Sequence, residues 1–285
     1  MSVTKQRFFS WWIIIIFTVL TMIALTLLFP RHALHKRIMD DSNNSPLSIA
    51  YLKSLIATHP DKVEYKIALI RKQLRTGHVE IAKKLLAQQY KPPPFTTKKG
   101  WQFQFMKYRI LRMETFSLRE NTAQRSQYET ELRAIILTLK QSPYLTAIES
   151  AQLGHDALAT NQPELAMHFY RQSLKHSKTL DASFYAQVGK AALFVSDYKM
   201  SAKFYLIAVE KYSSPAKQRE CFGKALASLQ AGQLFAEGMA LIEKNQAYIE
   251  QDRQLLMVVA SFALSANQPK LAERYVTQLI RLKYL

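Results

Sequence analysis

A 22-residue pattern in the second half of the chain recurs at a spacing close to 35 residues. Residues 153–174 (LGHDALATNQPELAMHFYRQSL) align with residues 188–209 (VGKAALFVSDYKMSAKFYLIAV) at an offset of 35. A further copy covers residues 259–280, and an earlier, partial copy covers residues 69–86. Because the chain has only seven glycines and almost no alternating strand pattern, a repeat of this length predicts stacked pairs of α-helices.

The side chains that the copies share are small at the predicted helix crossing and aromatic one turn later. They are Gly154 and Gly189 in the first helix, with Ala166, Ser201, Tyr170 and Tyr205 in the second helix. A small residue lets two helix backbones approach closely, and an aromatic ring fills the neighbouring gap. Pro163 and Pro269 fall at the start of the second helix, where the missing N–H is not needed.

This pattern resembles the tetratricopeptide repeat, a helix–turn–helix unit of 34 residues. The resemblance implies an α-solenoid of five or six helix pairs over residues 46–285. The predicted fold class is therefore all-α, with an N-terminal transmembrane helix, argued below, before the solenoid. A helical bundle with chance similarity between its segments is the alternative.

Two parts of the chain depart from the repeat. Residues 92–146 form an irregular repeat that opens with three prolines, and we expect two longer helices near 99–116 and 122–141. Residues 215–250 keep two helices, but their glycines do not register with the pattern. These glycines are Gly223, Gly232 and Gly238.

Residues 8–30 contain no ionisable side chain. A helix of this length rises about 34 Å, which is enough to cross the hydrocarbon core of a bilayer. Trp11 and Trp12 stand near one end, where indoles favour the membrane interface. The run is longer than the apolar centre of a cleaved signal peptide. We therefore predict a retained, single-pass transmembrane helix between a basic tail (1–7) and a linker (31–45).

The orientation of this helix rests on the basic residues that flank it. Lys5 and Arg7 precede the apolar run, and Arg31, Lys36 and Arg37 follow it. The numbers are nearly equal, but a very short basic tail before a first apolar segment usually stays inside. We therefore expect an inner (plasma) membrane protein whose repeat domain is periplasmic, if the source is a bacterium.

The net charge of +18 indicates an anionic partner. Residues 62–112 hold thirteen Lys or Arg against two acidic residues, so anionic lipid headgroups near the anchor are one predicted partner. Nucleic acid is the competing interpretation, and the predicted anchor and the lack of any nucleic-acid-binding motif disfavour it.

No motif for catalysis occurs in the sequence. Phosphate-binding glycine loops, zinc-protease helices and nucleophile elbows do not occur. His32 and His35 lack a third metal ligand, and Cys221 lies on an apolar helix face. We predict no catalytic, cofactor-binding or metal-ligating residue and no enzyme activity, with a hydrolase of unrecognised type as the alternative.

The predicted binding site is the concave groove of the repeat stack, which first helices line. Seven residues fall on it by register: Arg71, Arg75, His155, Lys190, Phe194, Met257 and Ser261. Cations beside an aromatic ring suit an acidic extended peptide or a partner helix. The alternative is that these charges only keep the stack soluble.

The anchor and the first repeats also resemble the N-terminal part of the PelB-type exopolysaccharide export proteins. The resemblance rests on Leu28-Phe29-Pro30-Arg31, Leu47-Ser48-Ile49-Ala50-Tyr51-Leu52, His59-Pro60, Arg75-Thr76-Gly77 and Ala82. It covers roughly residues 28–90 and implies a membrane-anchored scaffold for envelope assembly components in exopolysaccharide export or secretion, with any outer-membrane pore on a separate chain. A cytoplasm-facing adaptor or regulator is the alternative function.

Overall fold

A computed structural model describes residues 11–28, 45–88, 94–177, 180–250 and 252–282 of the chain. Within these ranges the secondary structure consists of fifteen α-helices, and no strand is present. This confirms the all-α prediction for the described part of the chain.

The chain divides into two compact units, Met1–Tyr128 and Glu129–Leu285. Unit 1 contains α1 (Trp11–Leu28), α2 (Pro46–Thr58), α3 (Val63–Arg75), α4 (Val79–Ala87) and α5 (Lys98–Ser117). The boundary falls inside α6 (Ala123–Leu139). The continuous repeat domain predicted over residues 46–285 stays a prediction.

Unit 2 is built from helix pairs. They are α7 (Ala147–Ala159) with α8 (Pro163–His176), α9 (Ala182–Phe194) with α10 (Tyr198–Lys211), α11 (Pro215–Ala231) with α12 (Phe235–Lys244), and α14 (Arg253–Ser265) with α15 (Pro269–Arg281). The short α13 (Gln246–Glu250) precedes the last pair. In unit 1, α3 and α4 form a pair of the same kind.

Several helix boundaries agree with the sequence. α2 begins at Pro46, and the Ser45 side chain accepts a hydrogen bond from the Ser48 N–H, as an N-cap does. α5 and α6 lie within two residues of the helices expected near 99–116 and 122–141. Pro163 and Pro269 each occupy the first position of a second helix.

The same turn joins the two helices of five pairs. Its middle residue has a positive φ in every case: Gly77 (79°), Asn161 (60°), Ser196 (59°), Gln233 (56°) and Asn267 (55°). The next N–H then donates to a carbonyl five residues earlier, for instance from Gln162 to Ala157 at 2.8 Å and from Asp197 to Ala192 at 2.9 Å. This is the Schellman geometry that ends helices. We call the positive-φ residue the turn residue.

A small, buried residue follows each turn residue by five positions. These residues are Ala82, Ala166, Ser201, Gly238 and Ala272. The expectation that Gly238 falls out of register was wrong, because it takes the same place as Ala166 and Ser201. The sequence comparison missed this match because the turn residues Ser196 and Gln233 stand 37 positions apart, whereas the neighbouring spacings are 35 and 34.

α1 lies inside the apolar run predicted to cross a membrane at residues 8–30. No helix in the described ranges is both long enough and apolar enough to span a bilayer. Residues 8–10 and 29–30 of the predicted span, the basic tail at 1–7 and most of the linker at 31–45 lie outside the described residues. The transmembrane helix therefore stays a prediction.

Candidate partner-binding surface

All seven predicted groove residues lie on the first helix of a pair, at matching distances from its turn residue. Four of them stand six positions before it: Arg71, His155, Lys190 and Ser261. Arg75 and Phe194 stand two positions before it, and Met257 stands ten positions before it. Since positions spaced by four lie on one helix face, the seven residues lie on the same face of their helices, at three places about one turn apart.

These equivalent places face solvent. In unit 2, Phe194 and Met257 leave 58% and 56% of their surface exposed, although both side chains are large and apolar. His155, Lys190 and Ser261 are also exposed. We call these five residues the exposed stripe. A single exposed apolar side chain is common in proteins, but two large ones on the same face of first helices favour a binding surface.

Arg71 and Arg75 belong to unit 1. Arg75 is exposed and Arg71 is half-buried. Their place in one groove with the exposed stripe stays a prediction.

Two contacts order the exposed stripe. The Lys190 ammonium nitrogen lies 5.9 Å from the centre of the Phe194 ring, in the geometry of a cation–π interaction. His155 Nδ1 lies 3.2 Å from Oδ1 of Asp156, which is fully buried. The Lys190 ammonium group is thus held beside an exposed aromatic ring, and the buried carboxylate of Asp156 orients the imidazole ring of His155.

The first helices of unit 2 carry few carboxylates, and each has a role already. Glu149 completes a capping box with Thr146 at the start of α7. Asp156 is buried, and Glu220 forms an ion pair with Lys224 one turn later at 2.5 Å. The exposed stripe itself contains no acidic residue, and Lys190 gives it a positive charge.

α11 contributes only small residues to the equivalent places. Gly223, Ala227 and Ala231 stand ten, six and two positions before Gln233. The sequence analysis did not include these three residues in the predicted groove, because small residues have no polar or aromatic group that could bind a partner. Their distance from the turn residue Gln233 identifies them.

A hydrogen bond joins neighbouring first helices near this face. Gln230 Nε2 of α11 donates to Ser265 Oγ of α14 at 2.7 Å. Both residues lie within three positions of their turn residues. α11 and α14 are therefore held side by side at the end of the exposed stripe.

Close helix crossings support the exposed stripe from inside. A Cβ atom on Gly154 would lie 2.7 Å from Tyr170 Cε1, and one on Gly189 would lie 3.1 Å from the Tyr205 ring. Burial raises the pKa of Tyr205 to about 12, and burial also raises the pKa of Tyr170. Both rings therefore stay neutral at physiological pH and act as packing groups.

A buried serine joins three helices at the second crossing. Ser201 Oγ donates to the Gly189 carbonyl at 2.8 Å and lies 2.9 Å from Ser228 Oγ. These atoms belong to α9, α10 and α11. This contact fixes the position of α9, which presents Lys190 and Phe194.

The remaining reactive groups do not form a site. Burial raises the pKa of the Cys221 thiol, which favours the unreactive protonated form. Within the described residues, no group of three or more His, Cys, Asp or Glu side chains could hold a metal ion. A surface depression on α15 is lined by residues of that single helix, including Lys270, Arg274 and Arg281. That the chain is not an enzyme stays a prediction.

No protein-family model matches the sequence, and a search of curated proteins finds no relative. Among solved structures, the chain is similar to a thermophilic TPR protein of Thermus thermophilus, with 14% identity and a TM-score of 0.42. That match covers 63% of this chain and 89% of the other chain. It is also similar to a chain of the APC/C hetero-tetramer Cut9–Hcn1, with 14% identity and a TM-score of 0.39, covering 81% of this chain and 42% of that one. Likeness of this degree does not transfer a binding site or a partner.

Proposed function

We propose that the protein is a membrane-anchored scaffold whose exposed stripe binds an acidic segment of a partner protein. The observation that carries the proposal is the common helix face of the stripe residues. Lys190, Phe194 and Met257 are solvent-exposed and lie on the same face of first helices, six, two and ten positions before their turn residues. A helical repeat that presents one face in this way binds partners along it.

The chemistry of the exposed stripe defines the partner. Phe194 and Met257 need apolar side chains to cover them, and Lys190 needs a carboxylate that this face does not supply. The small residues of α11 leave space between these anchors. An amphipathic helix or an extended peptide with interleaved acidic and apolar residues meets these requirements.

The apolar surface of α1 supports the membrane anchor. Trp11, Trp12 and Phe17 are each more than 70% exposed, and Ile16 and Leu20 are about 60% exposed. A row of exposed apolar side chains on one helix is stable only when lipid or protein covers it. The anchor of the proposal is the segment 8–30, with the repeat domain on the periplasmic side of the inner membrane.

The proposed process is exopolysaccharide export or secretion in the cell envelope. It rests on the resemblance of residues 28–90 to the PelB-type export proteins. In this proposal the acidic segment belongs to another component of the export assembly, which the scaffold holds near the membrane.

The test is peptide binding to the full chain in phospholipid nanodiscs. The probe is a fluorescent amphipathic peptide of about five helical turns with Glu on its polar face, compared with the same peptide carrying Lys for Glu. We expect only the acidic peptide to bind. Lys190→Glu should raise the Kd of this peptide about tenfold or more, a loss of about 1.4 kcal/mol, because the new carboxylate repels the Glu side chains of the peptide. Lys203→Glu is the matched control, because Lys203 is exposed on a second helix.

A second arm uses the partner in cells. A photoreactive phenylalanine at position 194 is crosslinked, and the captured protein is identified and tested for an acidic segment. Reversing the charges of Arg71, Arg75 and Lys190 should abolish capture. Capture that survives this triple reversal, or equal binding of both peptides, would refute the groove assignment.

The alternative function is a cytoplasm-facing adaptor or regulator with the reversed membrane orientation, favoured by the nearly equal basic flanks. Alkaline phosphatase fused to the C-terminus is active only after export. Activity of the fusion supports the periplasmic placement, and an inactive but stable fusion supports the alternative.

A further inference from the structure

The positive charge of the protein is concentrated in unit 1. Residues 1–128 carry 21 Lys and Arg against seven Asp and Glu, whereas residues 129–285 carry 18 against 14. Unit 2 is therefore close to balanced. Most of the net charge of +18 belongs to the unit that also contains α1.

Ion pairs within unit 1 use up much of its small supply of carboxylates. Glu64 pairs with Lys99 at 2.6 Å, and Glu114 pairs with Lys83 at 2.5 Å. The hydrogen bond from Lys99, together with a backbone hydrogen bond within Glu64 itself, holds the pKa of Glu64 below its usual value. Because these carboxylates are engaged by their own lysines, they do not neutralise the other cations of the unit.

Seven exposed cations of unit 1 form no ion pair with any carboxylate in the described ranges. They are Lys53, Lys62, Arg75, Lys84, Lys98, Lys107 and Arg119. They occur on or beside α2, α3, α4 and α5, so the excess charge is a property of the whole unit.

The chain length between α1 and α2 keeps these cations near the bilayer. Sixteen residues, 29–44, separate α1 from Ser45. A fully extended chain of that length spans about 55 Å. If α1 is in the membrane, the start of α2 stays within that distance of the lipid headgroups, which gives the cations of unit 1 a high local concentration near them.

We propose that unit 1 binds the anionic lipid headgroups of the membrane that holds α1. This inference rests on the anchor in the proposed function but not on the exposed stripe. The attraction falls off within a Debye length, about 8 Å at physiological salt, so the cations must lie at the headgroups. Each cation near an anionic surface raises the ratio of bound to free protein about fivefold.

The experiment measures the contact of unit 1 with headgroups in the full chain. A fluorophore is attached at Gln124→Cys, an exposed position of unit 1, while the native Cys221 is buried and does not compete for the label. Nanodiscs contain a lipid with a nitroxide on its headgroup, in either phosphatidylcholine alone or a mixture with about one-third phosphatidylglycerol. We expect the nitroxide to quench the fluorophore strongly only on the anionic discs, and salt at about 1 M, where the Debye length is about 3 Å, to abolish the difference.

Two variants decide the assignment. Replacing Lys53, Lys84, Lys98 and Lys107 with Gln should reduce the bound-to-free ratio about fivefold for each of these cations that lies at the headgroups, and quenching should drop toward the phosphatidylcholine level. Replacing Lys175, Lys203, Lys244 and Lys270 of unit 2 with Gln, which are likewise exposed, should leave quenching unchanged.

The proposal is overturned if quenching is equal on both kinds of disc, or if both variants lose it to the same extent. It is also overturned if a short single-stranded RNA added at physiological salt displaces unit 1 from anionic discs, because nucleic acid is then the preferred partner. Failure of the anchor itself gives a different result, since the chain then does not co-elute with nanodiscs in size-exclusion chromatography.

Discussion

Gly238 occupies a helix crossing that has no room for a methyl group. A Cβ atom built there would overlap the Phe262 Cζ atom and lie 2.7 Å from both ring Cε atoms. Phe262 is fully buried, so its ring cannot move into solvent. We expect Gly238→Ala to lower the free energy of unfolding by about 2 kcal/mol, as overpacking of a core does, which thermal unfolding followed by circular dichroism would measure.

Gly223 is the matched control at the residue scale. It is also helical, but a Cβ atom there would meet only Val258 Cγ2, at 3.8 Å. Because alanine favours helix over glycine, Gly223→Ala should raise the free energy of unfolding by about 0.5–1 kcal/mol. Equal effects of the two substitutions would contradict the close crossing at Gly238.

The helix pair, as an element, depends on its turn. Ser196 adopts a positive φ of 59°, which costs an L-residue about 1 kcal/mol relative to glycine. Gly77 occupies the equivalent place in unit 1. We expect Ser196→Gly to raise the free energy of unfolding by about 0.5 kcal/mol, and Ser196→Val to lower it by more than that, because a β-branched residue tolerates this conformation poorly. Chemical denaturation of the two variants would measure both changes.

The helices could be predicted because their signals are local. Pro163, Pro269 and Ser45 mark helix starts, and the apolar periodicity marks the buried faces. Two helices were predicted over residues 215–250, but the register of α12 escaped the sequence comparison because Gln233 stands 37 positions after Ser196 rather than about 35. The register of α12 follows from the turn at Gln233, whose φ is positive. Glutamine seldom occupies such a turn, so the sequence does not mark this position.

The exposed stripe could be predicted in part for the same reason. Helical periodicity puts Lys190 and Phe194 on one face, and in the structure the Lys190 ammonium group lies beside the Phe194 ring. The small residues of α11 carry no polar or aromatic signal. These residues are recognised as part of the same face only when positions are counted back from the turn residue of each pair.

At the scale of the whole molecule, the proposed anchor predicts how tightly the protein is held in the membrane. In cells, the full chain should stay in the membrane pellet after alkaline carbonate extraction, because an embedded helix of about 20 apolar residues is not released by charge neutralisation. A variant that lacks residues 1–30 should appear in the supernatant. The unit 1 variant with four Lys→Gln substitutions should remain in the pellet, since it keeps the anchor. Release of the full chain by carbonate would contradict the anchor.

The shared turn geometry makes the helix pairs of unit 2 interchangeable modules. Each pair starts after a short loop and has the same Schellman hydrogen bonds in the turn between its two helices. A gene duplication or deletion that begins at Ala182 and ends before Pro215 therefore joins the loop before one pair to the first helix of another. Relatives can therefore gain or lose one pair in a single genetic event. The length of partner that such a chain accommodates would change in whole steps, one helix pair at a time.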